Sequence, residues 1–346
     1  MAIAQATKWR SLTSSVPLTC ARGDPIVSRE VHDIDVMADQ PDDGVGGDYV
    51  QLNSQPFCAR WMVFTLPQSV LRFTREDAGS LHHICAPIDK WLVFVPLRIR
   101  GGVRWDGCAI SPDCLVICPP SSESLVCHGG GIEFAIVSAT AFAAATVVGA
   151  IRCKLAAAAP TAQIIHPRPS EARALASELI EVRTALTLFP ETMTRDWVAE
   201  TDLRLHGELN RCVRDATLDH PNRDAMHSPG SIVRRAEAFF REHLGEHVSI
   251  SQLSTVVGVS ERSLRNAFYQ VCTTSPKKYL RLCQLHQVRR TLRTAPSDHA
   301  AVTTAATRHG FYELGRFAVQ YRTVFGEPPS ATLHRARRAP AIVRQR

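Results

Sequence analysis

The chain has 346 residues, of which 45% are apolar and 21% charged, and a formal net charge of +7. That length has room for two domains with sizeable cores, and the composition excludes a disordered or collagen-like chain. The charge is uneven: Ser231 to Arg346 holds 19 Lys and Arg against 7 Asp and Glu, while the first 230 residues hold 21 against 26. A slightly acidic front and a strongly basic back suit a sensing or assembly domain followed by a binder of polyanions.

Residues 1–45 are polar, end in the acidic, glycine-rich DQPDDGVGGD and read as irregular. The opening MAIAQATKWRSLTSS has no apolar core of the kind a signal peptide needs. From Tyr49 to Val137 the texture is β. Trp61–Leu66, Trp91–Val95, Cys114–Cys118 and Phe134–Val137 are short apolar runs, punctuated by Pro67, Pro96, Gly101-Gly102, Pro119-Pro120 and Gly129–Gly131. Many short strands at this spacing predict a barrel or sandwich. The uncharged stretch from Phe134 to Ile151 is rich in Ala, Thr and Ser and bracketed by Glu133 and Arg152. It reads as a buried strand running into an Ala-rich helix, with no membrane partner.

Two helices follow. Ser170 is the expected cap of the first, whose Leu175, Leu179, Val182, Leu186 and Phe189 recur at helical spacing. After Pro190 a second carries Trp197, Thr201, Leu205, Leu209 and Cys212 on one face. They can pack on the sheet or pair with a second copy in a homodimer. Residues 46–218 are thus one sensory or dimerisation domain, and 219–230 (DHPNRDAMHSPG) a linker.

The remainder is helical. Ser228-Pro229 opens a helix with Val233, Ala236, Phe240 and Leu244 as its stripe, and Ser249 with Gln252 forms a capping box. A helix bearing Leu253, Val256 and Val257 then meets Gly258, and Ser260 caps a helix bearing Leu264, Ala267 and Phe268. Ser275-Pro276 opens a connecting helix on which Lys277, Lys278, Arg281, Arg289 and Arg290 are expected to be exposed. Ala295-Pro296 ends it. Ala305 and Ala306 lead to Gly310 and Phe311, then to a helix with Phe317 and Tyr321 on one face. This is a helix-turn-helix pattern twice, its turn glycines, Gly258 and Gly310, 52 residues apart. The domain is read as 231–335, with a basic tail at 336–346.

The segment from about Val233 to Leu333 resembles the DNA-binding domain of AraC/XylS-type transcriptional regulators. Ser254, Gly258, Leu264, Phe268 and Ser275-Pro276 match the first half of that pattern, with Ser254 where the family usually has Ala. Ala306, Gly310, Phe311, Phe317, Tyr321, Phe325-Gly326 and Pro329-Ser330 match the second, with Gly315 where a larger polar residue is common. Within the family, RSLRNAF, QVRRTL and GFYELGRFAVQY are similar to regulators of ethanolamine-utilisation operons. Asp113 ahead of an apolar strand and Pro119-Pro120 is similar to the cupin-like sensory barrels of the family.

The resemblance implies an α+β chain: a cupin-like β-barrel or sandwich with following helices, then an all-α domain with two helix-turn-helix motifs. It implies a cytoplasmic, sequence-specific activator whose partners are double-stranded promoter DNA, RNA polymerase and a small-molecule effector. Arg262, Ser263, Arg265 and Asn266 in the first recognition helix match base-reading positions, as do Arg316 and Val319 in the second, with Tyr312 and Gln320 flanking. Arginine can clasp guanine and asparagine adenine. Lys277, Lys278, Arg281 and Arg322 suit phosphates.

Rival chemistry has less to stand on. His82, His83 and Cys85 are the tight set of possible metal ligands, but neighbours alternate faces on a strand, so His83 and Cys85 alone could share one, and surface or rim positions are expected. Cys127-His128 lacks a third, orienting group. No phosphate-binding glycine loop follows a strand. The 11 cysteines form no C-x-x-C pair and read as reduced, buried thiols. No catalytic residue, metal or cofactor is expected. The alternatives are a cupin-type metal enzyme, told apart by metal content, and a non-specific architectural DNA-binding protein, told apart by competition with unrelated DNA.

Overall fold

The computed structural model describes residues 26–38, 46–140, 161–189, 193–218, 227–243, 245–246, 248–295 and 300–338. Thirteen strands among them form two antiparallel sheets. The larger runs in the order β1 (Ile26–Val31), β3 (Ala59–Thr65), β4 (Ser69–Glu76), β11 (Ile132–Thr140), β6 (Lys90–Ile99), β9 (Leu115–Cys118), β12 (Gln163–His166), β13 (Thr217–Leu218). The smaller runs β2 (Gly46–Gln51), β5 (Ser80–Cys85), β10 (Glu123–His128), β7 (Val103–Trp105), β8 (Cys108–Ile110). The two sheets face each other across a core of Leu92, Phe94, Val116 and Ile136 from one and Ile84, Trp105, Ile110 and Val126 from the other. The barrel-or-sandwich expectation thus resolves into two facing sheets, and no ladder joins them among the described strands.

The far side of the larger sheet is covered by α2 (Pro169–Leu188) and α3 (Arg195–Arg214). Leu175, Leu179, Val182 and Leu186 of α2 and Leu205, Leu209 and Cys212 of α3 pack on Phe64, Leu71, Phe73, Val93, Val95 and Val137. The helical spacing read from the sequence is therefore the buried face, and it packs within one chain, except at Phe189, which follows the end of α2 and is 52% exposed. Asp202, buried on α3, accepts from Gln68 N at 2.9 Å and Ser69 Oγ at 3.0 Å, pinning helix to sheet. Ser170 is not the cap: Arg168 takes that place, because Pro169 with its fixed φ fills the first helical position.

Residues 26–38, within a segment whose polarity predicts irregular structure, form a strand and a short helix. Ile26–Val31 pairs with β3, and α1 (Ile34–Ala38) follows it. Val31, Ile34 and Met37 are buried with Trp61. Val31 ends a strand while Ile34 and Met37 lie on the short helix after it, so their spacing of three fits neither element's period over the segment, and the partner strand supplies the reason for their order. The strand expected at 134–137 is the centre of β11, flanked by β4 and β6. The expected Ala-rich helix after it, most of the 219–230 linker, and Leu244 and Pro296 lie outside the described residues. No helix among the described residues is long and apolar enough to cross a membrane.

The far side of the smaller sheet carries the helical C-terminal domain. Val50, Leu81, Leu125 and Cys127 point outward and pack with Ile232, Val233 and Phe240 of α4 (Pro229–Glu242) and with Leu264, Phe268 and Val271 of α6 (Glu261–Cys272). The layers therefore run helices, sheet, sheet, helices.

Candidate nucleic-acid interface

The C-terminal domain is two helix pairs joined by a long helix: α5 (Ile250–Val257) and α6, α7 (Pro276–Thr294), then α8 (Ala300–Arg308) and α9 (Leu314–Phe325), closed by α10 (Pro329–Arg338). Residues 336–338, placed in the basic tail by composition, continue α10. Each cap read from the sequence in this domain is present. Ser228, Ser249, Ser260 and Ser275 accept from Ser231 N, Gln252 N, Ser263 N and Lys278 N, and Gln252 returns the bond to Ser249 N. Such caps each contribute about 0.5–2 kcal/mol to holding a helix start in place.

The two turns are built alike. Gly258 and Gly310 have φ of +72° and +82°, where a side chain would strain the backbone. The next amide folds back five residues: Val259 N to Ser254 O and Phe311 N to Ala306 O, both 3.0 Å. Leu253, Val257, Leu264, Ala267 and Phe268 are buried in the first pair, and Ala305, Ala306, Phe311, Phe317 and Tyr321 in the second. The buried Tyr321 hydroxyl lies 2.8 Å from Thr332 Oγ1, tying α9 to α10.

Burying these positions fixes what faces out. On α6, Arg262, Ser263, Arg265 and Asn266 are exposed; on and before α9, so are Tyr312, Arg316, Val319 and Arg322. Lys277 and Lys278 are exposed in the first turn of α7. Arg265 pairs with Glu261 at 2.8 Å, one turn back. An exposed pair of this kind contributes little, so the guanidinium can exchange its carboxylate for another acceptor. Tyr269, 56% exposed, sits one turn beyond Arg265. Its spacing from Leu264 and Phe268 places it off the buried face, the sequence signal that marks it for the groove-facing side.

Three expected exposures change. Arg281 is half-buried over the Phe311 ring, 3.9 Å from its centre, and donates to Gln320 Oε1 at 3.0 Å. It thereby braces α7 against α9 and occupies Gln320. Arg289 is buried, donating to Asp33 at 2.8 Å, Asp35 at 3.1 Å and Glu327 at 3.0 Å. Arg290 reaches Asp35 and Asp48, each at 3.3 Å. Besides Glu327, the acidic partners are Asp33, Asp35 and Asp48, far from α7 in sequence; the helical pattern of α7 alone cannot reveal them.

His82 and His83 are both buried, contrary to the surface or rim expected of them. They do alternate faces. His82 points between the sheets, while His83 points to the helical domain, its Nδ1 2.6 Å from Arg241 Nη2. Burial of both follows from covering both faces of β5. Among the described cysteines none is in a disulfide, and Cys108 is exposed. Burial pushes the Cys127 thiol up to about 11, so it carries no nucleophile at neutral pH.

Residues 253–335 match the family profile described as a helix-turn-helix domain. Residues 253–335 are a helix-turn-helix domain. Over 107 residues the chain is 36% identical to the XylDLEGF operon transcriptional activator of Pseudomonas putida, covering 31% of this chain and 33% of that one. Over 119 residues it is 33% identical to the probable thc operon regulatory protein of Rhodococcus erythropolis, covering 33% of this chain and 36% of that one. The chain thus spans about a third of the length of these relatives. Among solved structures, the AraC-like transcriptional activator CuxR aligns with 82% of this chain and 99% of its own at 13% identity and a TM-score of 0.43. A probable AraC family regulator from Rhodopseudomonas palustris aligns with 30% of this chain and 96% of its own at 34% identity and a TM-score of 0.28. TM-scores of this size do not establish a shared fold.

Proposed function

We propose that the chain is a sequence-specific DNA-binding transcriptional activator whose cupin-like N-terminal domain responds to a small molecule. The observation that carries this reading is the doubled turn: two helix pairs with the same back-folded amide, each presenting an exposed basic helix. Two such helices in one chain can enter successive major grooves on one side of the duplex. The base-reading set is Arg262, Ser263, Arg265, Asn266, Tyr312, Arg316 and Val319, with Lys277, Lys278 and Arg322 on phosphates. Gln320 and Arg281, already bonded to each other, take lesser parts. The similarity to an operon activator supports activation, and with it contact to RNA polymerase.

The effector site in this reading is the small pocket between the smaller sheet and the helical domain, lined by Asp48, Tyr49, His83, Glu237, Arg241 and Tyr279 among others. Glu237 is buried and its Oε2 has no hydrogen-bond partner there. A carboxylate with a spare oxygen suits a ligand ammonium or hydroxyl, which keeps an amino alcohol, suggested by the resemblance to ethanolamine-operon regulators, as the first compound to test. The decisive experiment is to sequence the fragments that the purified chain retains from sheared genomic DNA, with unrelated DNA as competitor. Recovery of one shared motif, shifted in gel retardation and resistant to competitor, is expected. Equal retention of all sequences would leave only a non-specific DNA-binding protein.

A further inference from the structure

The inner face of β5 carries a cluster for which DNA binding has no use. Glu76 at the end of β4, Ser80 and His82 on β5, and His128 at the end of β10 meet between the sheets, each at most 2% exposed. Ser80 Oγ lies 3.1 Å from Glu76 Oε2, 2.6 Å from His82 Nε2 and 2.8 Å from His128 Nε2. Glu76 Oε2 lies 2.9 Å from His82 Nε2 and 3.2 Å from His128 Nε2, and the two nitrogens are 3.2 Å apart. Each atom therefore touches the other three, as the corners of a tetrahedron do.

Hydrogen bonds do not satisfy this arrangement. An ionised glutamate brings no proton, the serine brings one, and each neutral ring brings at most one at Nε2. Three protons cannot serve six contacts, and the unserved pairs hold lone pairs or N–H groups against each other in a buried place. All three donors would also converge on the single oxygen Oε2. A cation at the centre relieves every contact at once. Imidazole nitrogens and a carboxylate oxygen are ligands for divalent transition metals, and metal–ligand distances of about 2.0–2.2 Å set tetrahedral edges of about 3.3–3.6 Å. The edges among Glu76, His82 and His128 need to open by about a few tenths of an ångström, and the 2.6 Å contact of Ser80 Oγ with His82 Nε2 by more, unless a water takes the place of Ser80.

We propose that Glu76, His82 and His128 bind a divalent transition-metal ion, zinc first, with Ser80 Oγ or a water in the fourth position. One contact must yield: the Gly130 amide points at His128 Nδ1 at 3.2 Å, and metal on Nε2 puts the ring proton on Nδ1. The turn is Gly129-Gly130-Gly131, where the backbone has the freedom to swing that amide aside. No single stretch of sequence holds these ligands; strand pairing of β5 with β10 brings His82 opposite Val126, two residues from His128. The second candidate on this strand, His83, Cys85 and Glu123, has the Arg241 guanidinium against His83, which opposes a second cation.

The test uses the untagged full chain, purified without chelator. Elemental analysis should find one equivalent of metal. After chelation and desalting, zinc should raise the melting temperature, and cobalt(II) should give the visible bands of a four-coordinate site at one equivalent. Glu76→Gln and His128→Gln should lose the ion, while Cys85→Ser with Glu123→Gln should keep it. The cobalt titration of the unaltered chain decides the matter even if a variant fails to fold. Uptake below about a tenth of an equivalent by folded chain, with no thermal shift, overturns the proposal. So does metal that persists in both ligand variants but vanishes with Cys85 and Glu123.

Discussion

At the scale of single residues, reading and holding separate. Arg265 is exposed between buried Leu264 and Phe268 and pairs with Glu261 on its own helix. Arg265→Ala should cost about 1–3 kcal/mol of operator binding and relax preference at one base pair, and Arg316→Ala should do so at the other end of the site. Lys277→Ala with Lys278→Ala should instead weaken all sequences alike and reduce the salt slope by about one to two. Titrations on operator and point-substituted operators at several salt concentrations measure both effects. Uniform weakening by Arg265→Ala would remove that side chain from the groove. Arg281→Ala should lower the melting temperature as well as affinity, because its guanidinium covers Phe311.

At the scale of elements, the turn glycines set the angle between each helix pair. An added methyl at Gly258 meets nothing within 4 Å, and at Gly310 it meets Gln284 Nε2 at 3.3 Å. The cost of Gly258→Ala is therefore the left-handed backbone alone, about 1–2 kcal/mol, and Gly310→Ala should cost slightly more. Phe317→Ala removes a buried ring from between Phe311 and Tyr321 and should cost about 3–5 kcal/mol. Denaturant titrations of the three variants would rank them, and a harmless Phe317→Ala would contradict the packing. Equal helical spacing in α2, α3, α6 and α9 was legible in the sequence because it repeats within a few turns. The strand at Ile26–Val31 was not, since its order depends on a distant partner strand, Ile26 pairing with Phe64 and Val31 with Ala59.

At the scale of the whole molecule, the sheet and helical domains are locked by charge. Burial pushes the Asp35 carboxyl up, but His286, Arg290 and Arg289 outweigh it and hold it at about 2. A carboxyl lowered by folding stabilises above its unfolded pKa of about 3.9, and that stabilisation is lost as pH falls from there towards 2. Asp35→Asn should remove this acid-dependent part of stability. It should also cost about 3–5 kcal/mol at neutral pH, because Arg289 and Arg290 lose a buried partner. Thermal unfolding of both chains between pH 2 and 7 would show it; parallel curves would mean that Asp35 is not the group. A fragment from Ser228 keeps Glu327 against Arg289 and its own apolar core. It should fold and bind the operator, which a helical but inert fragment would disprove.

What the sequence determined by itself is local. Serine caps, glycines at positive φ, the spacing of Leu264 and Phe268 or Phe317 and Tyr321, and the basic charge are all set within a dozen residues or by composition. Together they specify two helix-turn-helix units and which of their side chains stay in water. Tertiary structure alone decided the rest. Arg289 meets Asp35 across 254 positions and His128 meets His82 across 46. Which face of β5 is covered depends on strand register and on a second domain packing against it. Pairing at that range is selected by shape and charge complementarity in the folded chain, and no repeat along the sequence encodes it.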